Sequence, residues 1–305
     1  VMYGGCDDPA FMGFEGTVDH GVNALYTWDA AGNLTGVAVG VPCPAQVMEL
    51  HSFISADFWG HARAHIREKL GNVFVLPLCE ASGDQNPLDL VRISKSNREE
   101  LAKWNAQAGE VWLNLDLDRE CDRIGRRIAS AVEIALPAAR AAIEYLPAFK
   151  FLRSEVELPI RTVDAADAIE AKRAIEEAQA RYTREHPATS EDIVEIFEPL
   201  GVHDRWKLQR QTQSFRYRAA FLRLGNAVLS FNPFELFVDY ALRVRARAKA
   251  EHVFVVQLTD GYAGYLPTKE AVEGGSYSSK PASTLIGPEG GEKLVEIYLE
   301  QINAL

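Results

Sequence analysis

Residues 22–29, VNALYTWD, and 34–41, LTGVAVGV, alternate or run apolar on either side of Ala30-Ala31-Gly32-Asn33, a pattern that predicts a β-hairpin. From Ser55 the period changes. Phe58, Ala62, His65, Ile66 and Leu70 fall at helical spacing over 56–70, and Gly71 stands where a helix C-terminal cap belongs. Val73, Phe74, Val75 and Leu76 then form a short apolar run, read as a strand covered on both faces by helices. Strand, helix and strand in this order make a βαβ-like unit. The run ends on Cys79-Glu80 and breaks into Ala-Ser-Gly-Asp-Gln-Asn-Pro, dense turn chemistry at the carboxyl end of a strand, where α/β proteins tend to place their sites.

The middle of the chain reads as helical. Residues 119–145 and 163–184 are rich in Ala, Glu and Arg with apolar positions three and four apart, and Pro187 with Ser190 closes one helix and opens another. The mixed charges of AIEAKRAIEEAQARYTRE describe a solvated helix face. After residue 215 the strand signal returns as FRYRAAFLRLG and NAVLSFNP, a hairpin turning at Gly225-Asn226. A helix from Glu235 to about Ala248, the strand HVFVVQL, a Gly- and Tyr-rich loop and a terminal helix from about Gly291 complete the chain. The fold class is α/β: one large domain with a mixed β-sheet core and helices packed on it.

Composition narrows the function. With 47% hydrophobic residues in 305, a large core is available and disorder is excluded. A net charge of −11 argues against a nucleic-acid partner, since phosphate binding draws on surplus Lys and Arg. No apolar run reaches the length of a membrane span, and VMYGGCDD lacks the regions of a signal peptide. Without an initial Met, the chain reads as processed or partial. Cys6, Cys43, Cys79 and Cys121 show no CxxC spacing, which leaves the compartment open but favours a reducing one such as the cytoplasm.

Candidate chemistry gathers in the loops PCPAQVMELHSFISAD (42–57), ASGDQNP (81–87) and TDGYAGYLPT (259–268), and in NPFELF (232–237). Cys43, His51, Glu235 and a Tyr are chemically suitable zinc ligands. Each has a plainer role: a lone Cys packs as a small apolar group, a lone His is satisfied or exposed, and Glu235 complements the dipole of the helix it opens.

The order of these loops resembles the catalytic domain of the neutral ceramidase family, zinc-dependent amidases that cleave the N-acyl bond of ceramide. The likeness runs through AFMGFEGTVDHGVNALYTWDAAGNLTGVAVGVPCPAQ, ISADFWGHARAHIREKLGNVFVLPLCEASGDQNP, GNAVLSFNPFELF, VFVVQLTDGYAGYLPT and STLIGPEGGEKLVE. It implies that residues 1–305 form a ceramidase-like catalytic domain, incomplete at its N-terminus and without the C-terminal immunoglobulin-like domain common in the family. It also implies bound Zn²⁺, a small-molecule or lipid-like substrate and a metal-activated water attacking an amide.

Carried over by position, the family's metal ligands fall on Cys43, where the family has His, on Glu235 and on Tyr262, with Tyr265 close by as an alternative and candidate catalytic group. The family's early His-containing motif has no counterpart. In its Gly-Asp-x-Ser-Pro loop this chain has Gly83-Asp84-Gln85-Asn86-Pro87, so Asn86 replaces Ser beside Asp84. An amide can donate to an oxyanion but is no nucleophile. Gly83 would permit close approach of this turn to the site. Two other readings stand beside this one: a non-catalytic binding relative, and a carbohydrate-acting hydrolase built on Asp57, Asp84 and Glu235.

Overall fold

The computed structural model describes residues 12–49, 51–89, 116–183 and 187–305. Cys6, the first two residues of the earliest family-like stretch, Leu50 of the 42–57 loop, and residue 184, the end of an expected helix, lie outside them.

The hairpin forms as expected. β1 (Asn23–Trp28) pairs antiparallel with β2 (Leu34–Val41), and Asp29 closes the turn by accepting from the backbone N–H groups of Ala31 and Asn33. α1 (Phe58–Leu70) follows, and Gly71, at φ 85°, ends it by donating to the Arg67 carbonyl. β3 (Phe74–Cys79) returns parallel to β2, completing the βαβ unit in a sheet of order β1-β2-β3.

The second sheet combines β4 (Phe149–Pro159), β5 (Ser214–Leu224), β6 (Ala227–Phe231) and β8 (His252–Val256) in that order, antiparallel except for the parallel pair β6–β8. Gly225 takes φ 59° in the β5–β6 turn. A two-residue pair, β7 (Glu235–Leu236) with β9 (Tyr265–Leu266), stands apart from both sheets.

Strand alternation sorts the apolar residues into three layers. Val37 and Val39 of β2, Tyr26 of β1 and Val75 of β3 pack under α1 and under α2 (Leu117–Ala141), against Phe58, Ile66, Ile128 and Val132. Val156, Phe221, Val228, Val253 and Val255 of the second sheet pack under α6 (Val238–Arg247) and α8 (Pro288–Ala304). The alternate positions on the opposite faces, Ala227, Leu229, Phe254 and Val256 with Leu25 and Leu78, meet in a third cluster, so the two sheets face one another between two helical layers. The intervening elements are α3 (Ala165–Gln179), α4 (Ser190–Glu195), α5 (Phe197–Leu208) and α7 (Lys269–Gly274).

Three expectations need correction. β3 is not covered by helices on both faces: its second face turns toward the other sheet, which reaches Leu78 but leaves Phe74 and Leu76 exposed on this edge strand. The middle is not all helix, since β4 occupies 149–159. Glu235 does not open a helix; pairing with β9 keeps it extended, and α6 starts three residues later.

Beyond β3 the chain crosses between the sheets. Glu80 bridges Val256, Ala81 donates to the Val255 carbonyl at 3.0 Å and Gln257 to that of Cys79 at 3.0 Å. Among the described residues no helix is long and apolar enough to cross a membrane.

Candidate functional site

This crossover brings the ends of β3, β6 and β8 to one place. Gln257, immediately after β8, is buried and works as a latch: its Oε1 accepts from the backbone N–H groups of Ser82 at 2.9 Å and Leu236 at 3.1 Å, and its Nε2 donates to Cys79 Sγ at 3.5 Å. Three loops thereby share one side chain. Gly83 adds a fourth tie, donating to the Leu236 carbonyl at 2.8 Å. A Cβ at Gly83 would lie 2.3 Å from the Glu235 carbonyl oxygen, so the close approach of this turn does require glycine.

Glu235 is half-buried on β7, directly across from Tyr265 in the parallel register. The exposed Tyr262 donates its hydroxyl to Glu235 Oε1 at 3.2 Å. Tyr265 and Tyr277 exchange a hydroxyl hydrogen bond of 2.7 Å and pack edge to face, with ring centres 5.6 Å apart. Burial pushes all three phenols above their ordinary range, and the Glu235 carboxylate raises each further. Burial likewise raises Cys79, with Glu235 adding to it. The groups reaching Glu235 among the described residues are thus weak acids held protonated around one carboxylate, an arrangement in which a cation or a developing positive charge is favoured.

Cys43 lies beside Cys79, whose thiol points to the Cys43 carbonyl at 3.7 Å. Burial, with lesser contributions from Cys79 and Asp57, pushes the Cys43 thiol up to about 12. No hydrogen bond joins Cys43 to Glu235 or Tyr262 among the described residues. His51 is exposed and stacks on Phe53, with ring centres 5.1 Å apart.

The ASGDQNP turn abuts Glu235 through its backbone, and its polar side chains also bind backbone groups. Asn86 Oδ1 accepts from its own neighbour, Leu88 N–H, at 2.8 Å. Asp84 keeps solvent access yet is crowded enough for desolvation to raise its carboxyl, against the Val238 N–H, which donates to it at 2.8 Å and lowers it. Asp57 is buried, with φ 52°, and accepts from the N–H groups of Met48 and Phe58, each at 2.8 Å. Both Asp57 oxygens and one Asp84 oxygen thus accept from backbone N–H groups.

No sequence motif marks Gln257, Tyr277 or Cys79 as part of this site. The same holds for His61, His65 and Asp122, whose ligand atoms lie within 4.8 Å of one another and which could hold a metal. Among the described residues no other three His, Cys, Asp or Glu side chains converge so closely, and neither Cys43 nor Glu235 belongs to the group. A cavity of about 250 Å³ lined by Ala56, Trp59, Arg63, Val75 and Pro77 opens between α1 and β3, and none of the Glu235 cluster lines it.

Comparison with known proteins places this architecture. No family model matches the chain. No curated protein matches it either. Among solved structures it is similar to a neutral ceramidase from Pseudomonas aeruginosa, with a TM-score of 0.58 and 19% identity over 94% of this chain and 46% of that one. It is also similar to a structure described as a ceramidase complexed with C2, with a TM-score of 0.60 and 17% identity over 97% of this chain and 50% of that one. The chain spans about half the length of the structures it matches, and the shared feature is a ceramidase-like fold.

Proposed function

We propose that this chain is a hydrolase that cleaves the amide bond of a lipid-like N-acyl conjugate, with Glu235, Tyr262 and Tyr265 as its reacting wall. The observation that carries the reading is the Tyr262–Glu235 hydrogen bond at the end of the β7–β9 pair, in a fold similar to ceramidases. Phenols held protonated can donate to the oxygen that becomes negative when water adds to the carbonyl. Glu235 takes the proton lost by that water and returns it to the departing nitrogen as the carbon–nitrogen bond breaks, leaving a carboxylate and an amine.

Glu235 and Tyr262, with Cys43 as a further donor, would hold a divalent metal; in the metal-loaded protein these groups would serve as ligands in place of the base and donor roles above, leaving Tyr265 as the phenol that donates to the oxyanion. Bound there, Zn²⁺ would supply Lewis-acid polarisation of the carbonyl and an acidified water. Asn86, whose Oδ1 is already engaged, serves the turn, and the Asp84 carboxylate holds α6.

The test is metal analysis of purified protein together with hydrolysis of a fluorogenic N-acyl amide by the wild type and by Glu235→Gln. Loss of turnover in Glu235→Gln with folding intact is expected. Absence of both turnover and bound metal in the wild type would instead favour a non-catalytic binding relative.

A further inference from the structure

α1 sets His61 and His65 one turn apart on the same helical face. α2 crosses that face closely because Gly125 has no side chain; a Cβ there would lie 2.7 Å from the Ala62 nitrogen. The approach delivers Asp122 between the two imidazoles. His65 Nε2 lies 2.6 Å and His61 Nδ1 3.7 Å from the same oxygen, Asp122 Oδ1. His61, His65 and Asp122 are all partly buried, with side-chain exposures of 29%, 14% and 31%.

The far side of each group is also held. His65 Nδ1 faces Glu68 Oε2 at 3.3 Å, and His61 Nε2 faces Asp118 Oδ1 at 3.0 Å. Arg126 donates to Asp122 Oδ2 at 2.8 Å and leaves Oδ1 turned to the imidazoles. Each His therefore offers one nitrogen to a common point while a carboxylate fixes its other nitrogen, the outer-shell arrangement that orients metal-bound histidines. Two imidazoles and one carboxylate are a donor set for Zn²⁺ or a similar divalent transition ion, with a fourth position left to water.

We propose that His61, His65 and Asp122 form a divalent transition-metal site that clamps α1 to α2. None of the three belongs to the loops that carry Glu235, Tyr262 and Tyr265. The site is a structural clamp on the outer helical layer, separate from the proposed reacting wall and independent of that reading.

The experiment uses the full chain, stripped with a chelator and titrated with Zn²⁺. Calorimetry and Tm are followed in the wild type, in Glu235→Gln and in the double variant His61→Ala/His65→Ala. One Zn²⁺ binding with a rise in Tm is expected to persist in Glu235→Gln. The double variant should lose the rise, with affinity falling by more than the roughly 10–100-fold that follows loss of an outer-shell partner. No Zn²⁺-dependent rise in Glu235→Gln, or an equal rise in the double variant, would overturn the proposal. A check that needs no ligand substitution is the imidazole nitrogen spectrum of Glu235→Gln. Zn²⁺ shifts the His61 and His65 resonances if the clamp exists and leaves them in place if these are ion pairs only.

Discussion

The Asp84 carboxylate accepts the backbone N–H of Val238 at 2.8 Å, so a turn residue after β3 closes the first turn of a helix 154 positions later. Phe237, which precedes α6, supplies no side-chain cap of its own. Asp84 therefore satisfies a helix donor that would otherwise lack an acceptor, and its charge suits the positive end of the helix dipole. Asp84→Ala is expected to lower stability by about 0.5–2 kcal/mol, as loss of a helix N-cap does, and Asp84→Asn by less. Urea unfolding of the three proteins measures this; equal stabilities would mean that the bond contributes nothing.

Gly83 fixes the other side of the same turn. An added methyl would meet the Glu235 carbonyl oxygen at 2.3 Å and its carbon at 2.7 Å, both backbone atoms without a rotamer to escape into. Gly83→Ala should destabilise by about 1–3 kcal/mol or more through overpacking. The Gly83 N–H bond to Leu236 should also open, so faster amide exchange at position 83 is the local signature.

Much of the framework is legible in the letters because the period of burial is strong. The hairpin, α1 and β3 each show a clear buried face, β8 is an unbroken apolar run buried on both faces, and Gly225-Asn226 marks its own turn. β4 is harder to read because it is an edge strand: Lys150, Arg153, Glu155 and Glu157 line its exposed positions, and Glu155 and Glu157 pair with Arg218 and Arg216 of β5, while Val156 and Leu158 are its only fully buried positions and Leu152 packs at the edge of the core. The site is harder still. β7 and β9 are two residues each, too short for any periodic signal, and their pairing depends on loop bonds such as Glu235 N–H to the Gly264 carbonyl at 2.9 Å. The spacing of His61 and His65 is visible in sequence, but Asp122 joins them only through helix packing. The Asp84 motif likewise shows no sign in the letters of its bond to a helix start 154 positions away.

Tyr262 is 71% exposed, so its hydroxyl contributes little to folding. Tyr262→Phe is expected to leave the unfolding free energy within about 0.5 kcal/mol of wild type, as surface changes do. If the phenol acts in the reaction, turnover of an N-acyl amide should fall on the order of 10²-fold or more, the effect of losing one oxyanion donor or proton-transfer group. Steady-state kinetics beside urea unfolding separate the two. An unchanged rate in both Tyr262→Phe and Tyr265→Phe would remove the phenols from the mechanism.

Glu80 is fully buried between the sheets, where it meets Arg245, the Asn23 amide at 2.7 Å and, more weakly, the Val255 N–H at 3.4 Å; Arg245 also pairs with Asp19. Gly40 makes room for the carboxylate, since a Cβ there would overlap Glu80 Oε1. Burial raises the Glu80 carboxyl above its ordinary value of 4.5, and Arg245, Asn23 and the backbone donor pull it only part of the way back. The folded protein therefore holds this proton to higher pH than the unfolded chain does. Between 4.5 and the folded value the native state binds more protons, so the Glu80 contribution to stability declines as pH rises through that window. Glu80→Gln has no proton to lose, and wild type should lose stability relative to it as pH climbs from 4.5. Arg245→Met removes the main opposing charge, which should widen the window upward and destabilise the neutral-pH protein by about 3–5 kcal/mol, as breaking one side of a buried pair does. Unfolding free energies across pH 4–8 for the three proteins give the sign directly. A wild-type curve that rises against Glu80→Gln over this range would mean that pairing with Arg245 outweighs the desolvation of the carboxylate.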